Sequence, residues 1–126
     1  MKVSGLLPNA QWALEVPEGA VIFREGDTGE EKYGMEMYGI VKGTVELRSG
    51  GQVLRTLGPD DVFGEMALVD RSQRSATAVA EGDCVLAVID QQRFLSLVQE
   101  MPMFALQSMS AMASRLRGEP ADADAG

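Results

Sequence analysis

The fold of this chain is decided by residues 37–57, MYGIVKGTVELRSGGQVLRTL. Apolar residues alternate with polar ones around Val45 and Leu47, and this period of two predicts a β-strand with one buried face. The segment 49–52, Ser-Gly-Gly-Gln, predicts a hairpin turn because two glycines between strands suit a tight reversal. Residues 53–57 then return as a second strand.

Similar short strands are predicted on both sides of this hairpin. Apolar runs lie at 20–24, 76–80 and 84–89, and glycine-containing turns are expected at 25–30, 58–61 and 81–83. Strands that recur about every 8–12 residues with turns between them are typical of antiparallel barrels and jelly rolls. We therefore predict a mainly β fold, a double-stranded β-helix of the jelly-roll or β-roll kind.

The hydrophobic period changes after residue 89, where a C-terminal helix pair is predicted. Asp90 suits the N-cap of the first helix, and Pro102 suits the first turn of the second. The apolar positions expected to face the barrel are Phe94, Leu95, Leu97, Val98, Phe104, Leu106, Met109, Met112, Ala113 and Leu116. Because methionine repacks easily, the Met-rich second helix could instead bind a second copy of the chain or a partner protein.

The chain has 126 residues, of which 45% are hydrophobic and 24% charged, and these are values of one globular domain. Residues 1–117 are expected to form that domain, and residues 118–126 an acidic disordered tail. The net charge of −8 disfavours a general nucleic-acid surface. We expect no signal peptide and no membrane span, and therefore a cytoplasmic protein.

Catalytic and metal chemistry are disfavoured by the residues that are missing. Histidine is absent, and the single cysteine, Cys84, lies in an apolar run where a buried structural thiol is expected. The commonest metal ligand and general base are therefore lost together. We predict no metal, no cofactor and no enzyme activity.

Residues 63–77, FGEMALVDRSQRSAT, interrupt the strand pattern and carry the functional prediction. Gly64 is followed by good helix formers, so a short helix is expected to open there and to present unpaired N–H groups. Arg74 can donate two parallel bonds to a phosphate, and the Glu65 carboxylate can accept from a neighbouring sugar hydroxyl. Together they match a phosphorylated sugar with a free hydroxyl beside its phosphate.

Three other interpretations of this segment stay open. Arg71 could be the phosphate ligand in place of Arg74. Glu65 and Arg74 could form a salt bridge on an exposed surface helix, worth little to stability. Ser75 and Thr77 could be ordinary strand residues, and for Thr77 we favour that interpretation.

Residues 63–68 and 74–77 resemble the phosphate-binding cassette of cyclic nucleotide-binding domains, of the catabolite activator protein and protein kinase A regulatory subunit type. Residues 23–27, 37–45 and 90–94, the last followed by Pro102, resemble other parts of that family, so the resemblance extends over about 12–117. It implies a cyclic nucleotide ligand whose ribose 2′-hydroxyl donates to Glu65 and whose phosphate contacts Arg74 and Ser75; we favour cAMP over cGMP, with the choice of base left open. The remaining ligand-binding residues are Gly64, Met66 and Ala67, and backbone N–H groups near Gly64 and Ala67 would help to hold the phosphate.

The sequence departs from that family in two places. Residues 30–36 are longer and more charged than the usual turn between those strands. After Arg117 the chain lacks the helix-turn-helix of the transcription factors, so no DNA binding by this chain alone is expected, and residues 118–120 cannot cover the base. The alternative function is a structural or interaction module of the same fold without useful nucleotide binding.

Overall fold

The computed structural model describes residues 12–28, 36–65 and 73–116, and in these ranges it is mainly β with two C-terminal helices. The strands are β1 (Ala13–Val16), β2 (Val21–Phe23), β3 (Met37–Ser49), β4 (Gln52–Leu57), β5 (Val62–Phe63) and β6 (Thr77–Ile89). The helices are α1 (Gln91–Glu100) and α2 (Pro102–Leu116). This confirms the predicted fold class. The predicted tail at 118–126 and loop residues 30–35 lie outside the described residues.

Strands β3 and β6 form the centre of a six-stranded sheet in which every pairing is antiparallel. They pair from Met37 opposite Ile89 to Arg48 opposite Thr77. Strand β6 also pairs with β1 and β2, while β3 also pairs with β4 and β5. The two long strands therefore hold the short ones, and with them the chain segments that follow β2 and β5.

The central hairpin forms where the glycines predict it. Ser49 lies opposite Gln52, and the two residues between them, Gly50 and Gly51, have φ angles of 59° and 80°. Two positive φ values in a two-residue turn are the type I′ geometry, whose twist matches that of the flanking strands. The predicted hairpin is confirmed.

The predicted turn at 81–83 is wrong, because β6 runs unbroken through it for 13 residues. Strand β3 is also 13 residues long, and its pairing with β6 shifts register on both sides of Lys42. At the second shift Gly43 has a φ of 97°, and a Cβ there would lie 2.6 Å from the Asp83 carbonyl oxygen. A bulge, rather than a turn, uses this glycine to bring two backbones together.

The main core lies inside the β-roll. Its fully buried side chains include Tyr38, Phe63, Ile22, Ile40 and Leu86, and Cys84 lies among them as predicted. Burial raises the pKa of the Cys84 thiol, and its Sγ donates to the Thr44 carbonyl oxygen at 3.1 Å. Such a thiol is protonated and packed, so it acts as a core residue.

The helices pack on one end of the roll through a second cluster that includes Met37, Ile89, Leu97 and Phe104. Asp90 caps α1, as predicted, because its Oδ1 accepts from the Arg93 backbone N–H at 2.8 Å. In the part of the chain that the structure describes, neither helix is long and apolar enough to cross a bilayer.

The predicted helix faces are only partly correct. Leu97 and Phe104 are buried, but Leu95, Leu106 and Met109 are each at least half exposed. Ser108, absent from the predicted stripe, is buried one turn after Phe104. Each helix therefore buries only some of its apolar side chains and leaves the others exposed to solvent. The side chains of Met112 and Leu116 lie outside the described residues.

Candidate functional site

Arg74 lies just before β6, at the point where the end of β2, the start of β3 and the end of β5 meet. Its backbone N–H donates to the Asp27 carbonyl oxygen at 3.0 Å, and its own carbonyl oxygen accepts from the Gly26 N–H at 2.8 Å. These two bonds tie residue 74 to the turn after β2. The backbone of Arg74 is consequently fixed through both its N–H and its carbonyl group, and this fixes the origin of the side chain.

The Arg74 side chain is buried, with 4% of its surface exposed. Its Nη1 donates to the Gly64 carbonyl oxygen at 3.0 Å, and its Nη2 donates to the Glu36 carbonyl oxygen at 2.6 Å. The guanidinium lies over the Phe23 ring, 4.1 Å from the centroid. Hydrogen bonds and a cation–π contact thus hold the planar group in one orientation.

Gly64 allows the close approach on which this arrangement depends. It has a φ of 79°, and a Cβ placed on it would lie 2.8 Å from Arg74 Nη1 and 3.2 Å from the Glu36 carbonyl oxygen. Both the backbone conformation and the available space favour glycine. The group that approaches the backbone at this glycine is the Arg74 guanidinium.

Three aromatic rings pack together next to the guanidinium, and one of them, Phe23, lies against it. Tyr38 and Phe63 stack with centroids 5.3 Å apart, and Phe23 lies 6.0 Å from Phe63 and 6.1 Å from Tyr38. Because Phe63 directly precedes Gly64, its buried ring fixes the position at which the segment of residues 64 and 65 begins. Packing of the roll interior therefore sets the position of the polar groups above it.

Glu65 is buried as well, with 1% of its surface exposed, at the residue where helical backbone begins. Burial lowers the pKa of Arg74 from its usual value, while electrostatic interactions with Tyr38, Glu36, Asp27 and Glu65 act to raise it. Arginine remains a cation in proteins, so the site combines a buried positive charge with adjacent carboxylates.

The structure brings together three of the predicted site residues, Gly64, Glu65 and Arg74, with Ser75 exposed beside them. The interpretation of Glu65 and Arg74 as a surface salt bridge is wrong, because both side chains are buried. Thr77 begins β6, and its Oγ1 accepts from the Glu25 N–H at 3.0 Å. The other predicted positions, Met66, Ala67 and Arg71, lie outside the described residues.

Sequence reasoning missed two parts of the site. Phe23 supplies the ring below the guanidinium, and Glu36 supplies a carbonyl acceptor. The apolar pattern of β2 gives no sign that one of its rings faces an arginine. A backbone acceptor carries no sequence signal, because every residue has one.

This arrangement suits recognition of a small anion bound to a hydroxyl-bearing group. A guanidinium favours a phosphate, and an ionised carboxylate next to it accepts from a hydroxyl donor. Among the described residues, no group of three or more cysteines or acids is arranged to hold a metal ion.

The chain belongs to the cyclic nucleotide-binding domain family, whose sequence model matches residues 13–101. It is 38% identical over 106 residues to the "Cyclic AMP receptor protein" of Thermus thermophilus, a match to 80% of this chain and 47% of that protein. It is 42% identical over 79 residues to a "cAMP-dependent protein kinase regulatory subunit" of Eremothecium gossypii, covering 63% of this chain and 16% of the subunit.

The fold agrees with this membership. The crystal structure of the Thermus thermophilus catabolite activator protein superposes with a TM-score of 0.70 at 36% identity, covering 83% of this chain and 49% of that one. The antiparallel sheet with two C-terminal helices is thus the jelly roll of that protein, as predicted. The chain spans about half the length of the first relative and a sixth of the second.

Proposed function

We propose that this chain is a receptor for a cyclic nucleotide, with cAMP preferred over cGMP. Arg74 and Ser75 bind the cyclic phosphate, backbone groups of Gly64, Met66 and Ala67 assist, and Glu65 accepts from the ribose 2′-hydroxyl. The observation that carries the proposal is the burial of Arg74 and Glu65 around Gly64, in a chain of the cyclic nucleotide-binding family. The preference for cAMP is supported by the names of the two relatives described above.

The proposed role is regulatory and does not include catalysis. Nucleotide binding would draw the cassette inward and shift the equilibrium positions of α1 and α2, which pack against the end of the roll. The exposed side chains of Leu106 and Met109 on α2 support its use as a contact for a second copy or a partner protein. A cytoplasmic location is part of this proposal, and the single, buried cysteine, Cys84, is compatible with it.

Calorimetric titration of the wild type and Arg74→Ala with cAMP and with cGMP tests this function. The wild type is expected to bind cAMP more tightly than cGMP. Arg74→Ala is expected to weaken cAMP binding by about 10–100-fold, the effect of losing charge-assisted bonds to the phosphate. The control is Arg48→Ala, which removes an arginine paired with Glu46 in the β3–β4 hairpin. Equal affinity in wild type and Arg74→Ala would refute the phosphate assignment.

A second candidate function is a structural or interaction module that keeps this fold without useful nucleotide binding. It is favoured by one observation, that the Arg74 guanidinium donates to two backbone carbonyl oxygens and so also stabilises the fold. A ligand at 100 times its dissociation constant adds about 2.7 kcal/mol of stability. No thermal shift with either nucleotide would favour this second function.

A further inference from the structure

The surroundings of Arg74 contain more negative charge than a phosphate site needs. Three carboxylates, those of Glu36, Asp27 and Glu65, lie near enough for their charges to act on the guanidinium. Two of them have evident uses. Glu65 is the proposed ribose acceptor, and Asp27 Oδ2 accepts from the Arg24 backbone N–H at 2.8 Å. The Glu36 carboxylate has no comparable use.

Glu36 contacts Arg74 through its backbone, and its carboxylate takes no part in that hydrogen bond. Its carbonyl oxygen accepts from Arg74 Nη2 at 2.6 Å. Its Oε2 is buried and has no hydrogen-bond partner among the described residues. A buried carboxylate oxygen without a donor costs free energy, and such groups are uncommon in native structures.

We propose that Glu36 sets the affinity of the site by opposing the ligand phosphate at Arg74. This inference rests on the proposed function, since it concerns the same phosphate. A cyclic phosphodiester carries one negative charge, and it must come close to the guanidinium that Glu36 already neutralises in part. The carboxylate therefore repels the incoming phosphate.

The effect does not depend on the backbone contact. The carbonyl oxygen of residue 36 accepts from Arg74 whatever the side chain is, so a substitution can remove the charge and keep the bond. Because Oε2 makes no hydrogen bond within the described part of the chain, replacing that oxygen removes no hydrogen bond there. Glu36 thus weakens binding, and it does so by charge alone.

Glu36→Gln is the direct test, measured by calorimetric titration with cAMP. It keeps the size of the side chain and removes its charge, and we expect binding to become about tenfold tighter. Glu36→Met is the second variant, because it has similar length and no N–H group that could itself bind phosphate. The matched control is Glu18→Gln, which changes the net charge equally on an exposed residue that does not act on Arg74.

The outcomes separate this inference from the proposed function. If the wild type binds cAMP and both Glu36 variants bind more tightly while Glu18→Gln does not, the inference holds. Equal or weaker binding by the Glu36 variants, at unchanged wild-type affinity, would overturn it and leave the receptor function intact. No nucleotide binding by the wild type or by either Glu36 variant would refute the receptor function itself, and the inference with it. Ligand-free melting curves verify that each variant is folded.

Discussion

At the scale of single residues, the site depends on a short chain of contacts from Phe23 to Arg74 to Gly64. The guanidinium lies 4.1 Å from the Phe23 ring centroid and donates to the Gly64 carbonyl oxygen at 3.0 Å. No side chain fits on residue 64 without moving Nη1, because the two groups would be 2.8 Å apart. The position of the Arg74 guanidinium, the proposed phosphate ligand, and the backbone conformation are thereby linked at one glycine.

Gly64→Ala tests this link, with Gly19→Ala as its matched control. The two glycines have φ angles of 79° and 80°, but a Cβ at Gly19 meets nothing within 4 Å. Both variants should lose about 1 kcal/mol of unfolding free energy to the left-handed backbone. Only Gly64→Ala should also weaken cAMP binding, by about tenfold, because it displaces Arg74.

Chemical denaturation and calorimetric titration measure the two effects separately. Unchanged cAMP affinity in Gly64→Ala would show that Arg74 can move without loss of phosphate binding. A loss of affinity in Gly19→Ala as large as that in Gly64→Ala would assign the effect to stability instead.

At the scale of elements, the junction between β6 and α1 connects the roll to the helices. Asp90 follows β6 directly, and its side chain accepts from the Arg93 N–H at 2.8 Å. The Arg93 side chain reaches back, and its Nη1 donates to the Val88 carbonyl oxygen at 2.9 Å. Since Ile89 is buried in the cluster beneath the helices, this junction sets the angle at which α1 leaves the sheet.

Removing the cap should destabilise the domain without altering the proposed nucleotide site. Asp90→Ala is expected to lower the unfolding free energy by about 1 kcal/mol, because an N–H at the helix start loses its acceptor. Asp90→Asn should retain most of the stability, since its amide oxygen can cap in the same way. Urea denaturation of the three proteins checks this. Equal stability of Asp90→Ala and Asp90→Asn would mean that the cap contributes little.

At the scale of the whole molecule, two hydrophobic clusters meet along β3 and β6. Tyr38 belongs to the cluster inside the roll and stacks on Phe63, the residue before Gly64. Its neighbour Met37 belongs to the cluster under the helices. Adjacent residues of a strand point to opposite faces, so a displacement of the backbone at the start of β3 would move side chains in both clusters. This gives a physical route from Arg74, through residues 36–38, to α1 and α2.

Hydrogen exchange of the whole chain tests that route. Saturating cAMP should slow amide exchange in α1 and α2 if binding changes how the helices pack on the roll. Arg74→Ala treated with the same nucleotide is the control and should show no slowing. Nucleotide that binds by calorimetry and leaves exchange in both helices unchanged would contradict the proposed shift.

Much of this molecule follows from local sequence. The Gly50-Gly51 turn, the Asp90 cap and the start of α2 at Pro102 were predictable, because each depends on the conformational preferences of one or two residues. Gly82 gave a misleading signal, because a turn was predicted at 81–83 and β6 runs straight through it. A glycine with positive φ suits a bulge as well as a turn, and only strand pairing distinguishes the two.

Local patterns determined the β-rich fold, the helix pair, and Glu65 and Arg74 as the polar residues around Gly64. Tertiary structure alone decided that Phe23 and the Glu36 carbonyl group hold the guanidinium, and that Leu106 and Met109 face outward. The reason is physical. Turns and caps are formed by neighbours in the chain, whereas Glu36 lies 38 residues from Arg74 and Phe23 lies farther still, and both are brought to it only by packing of the roll.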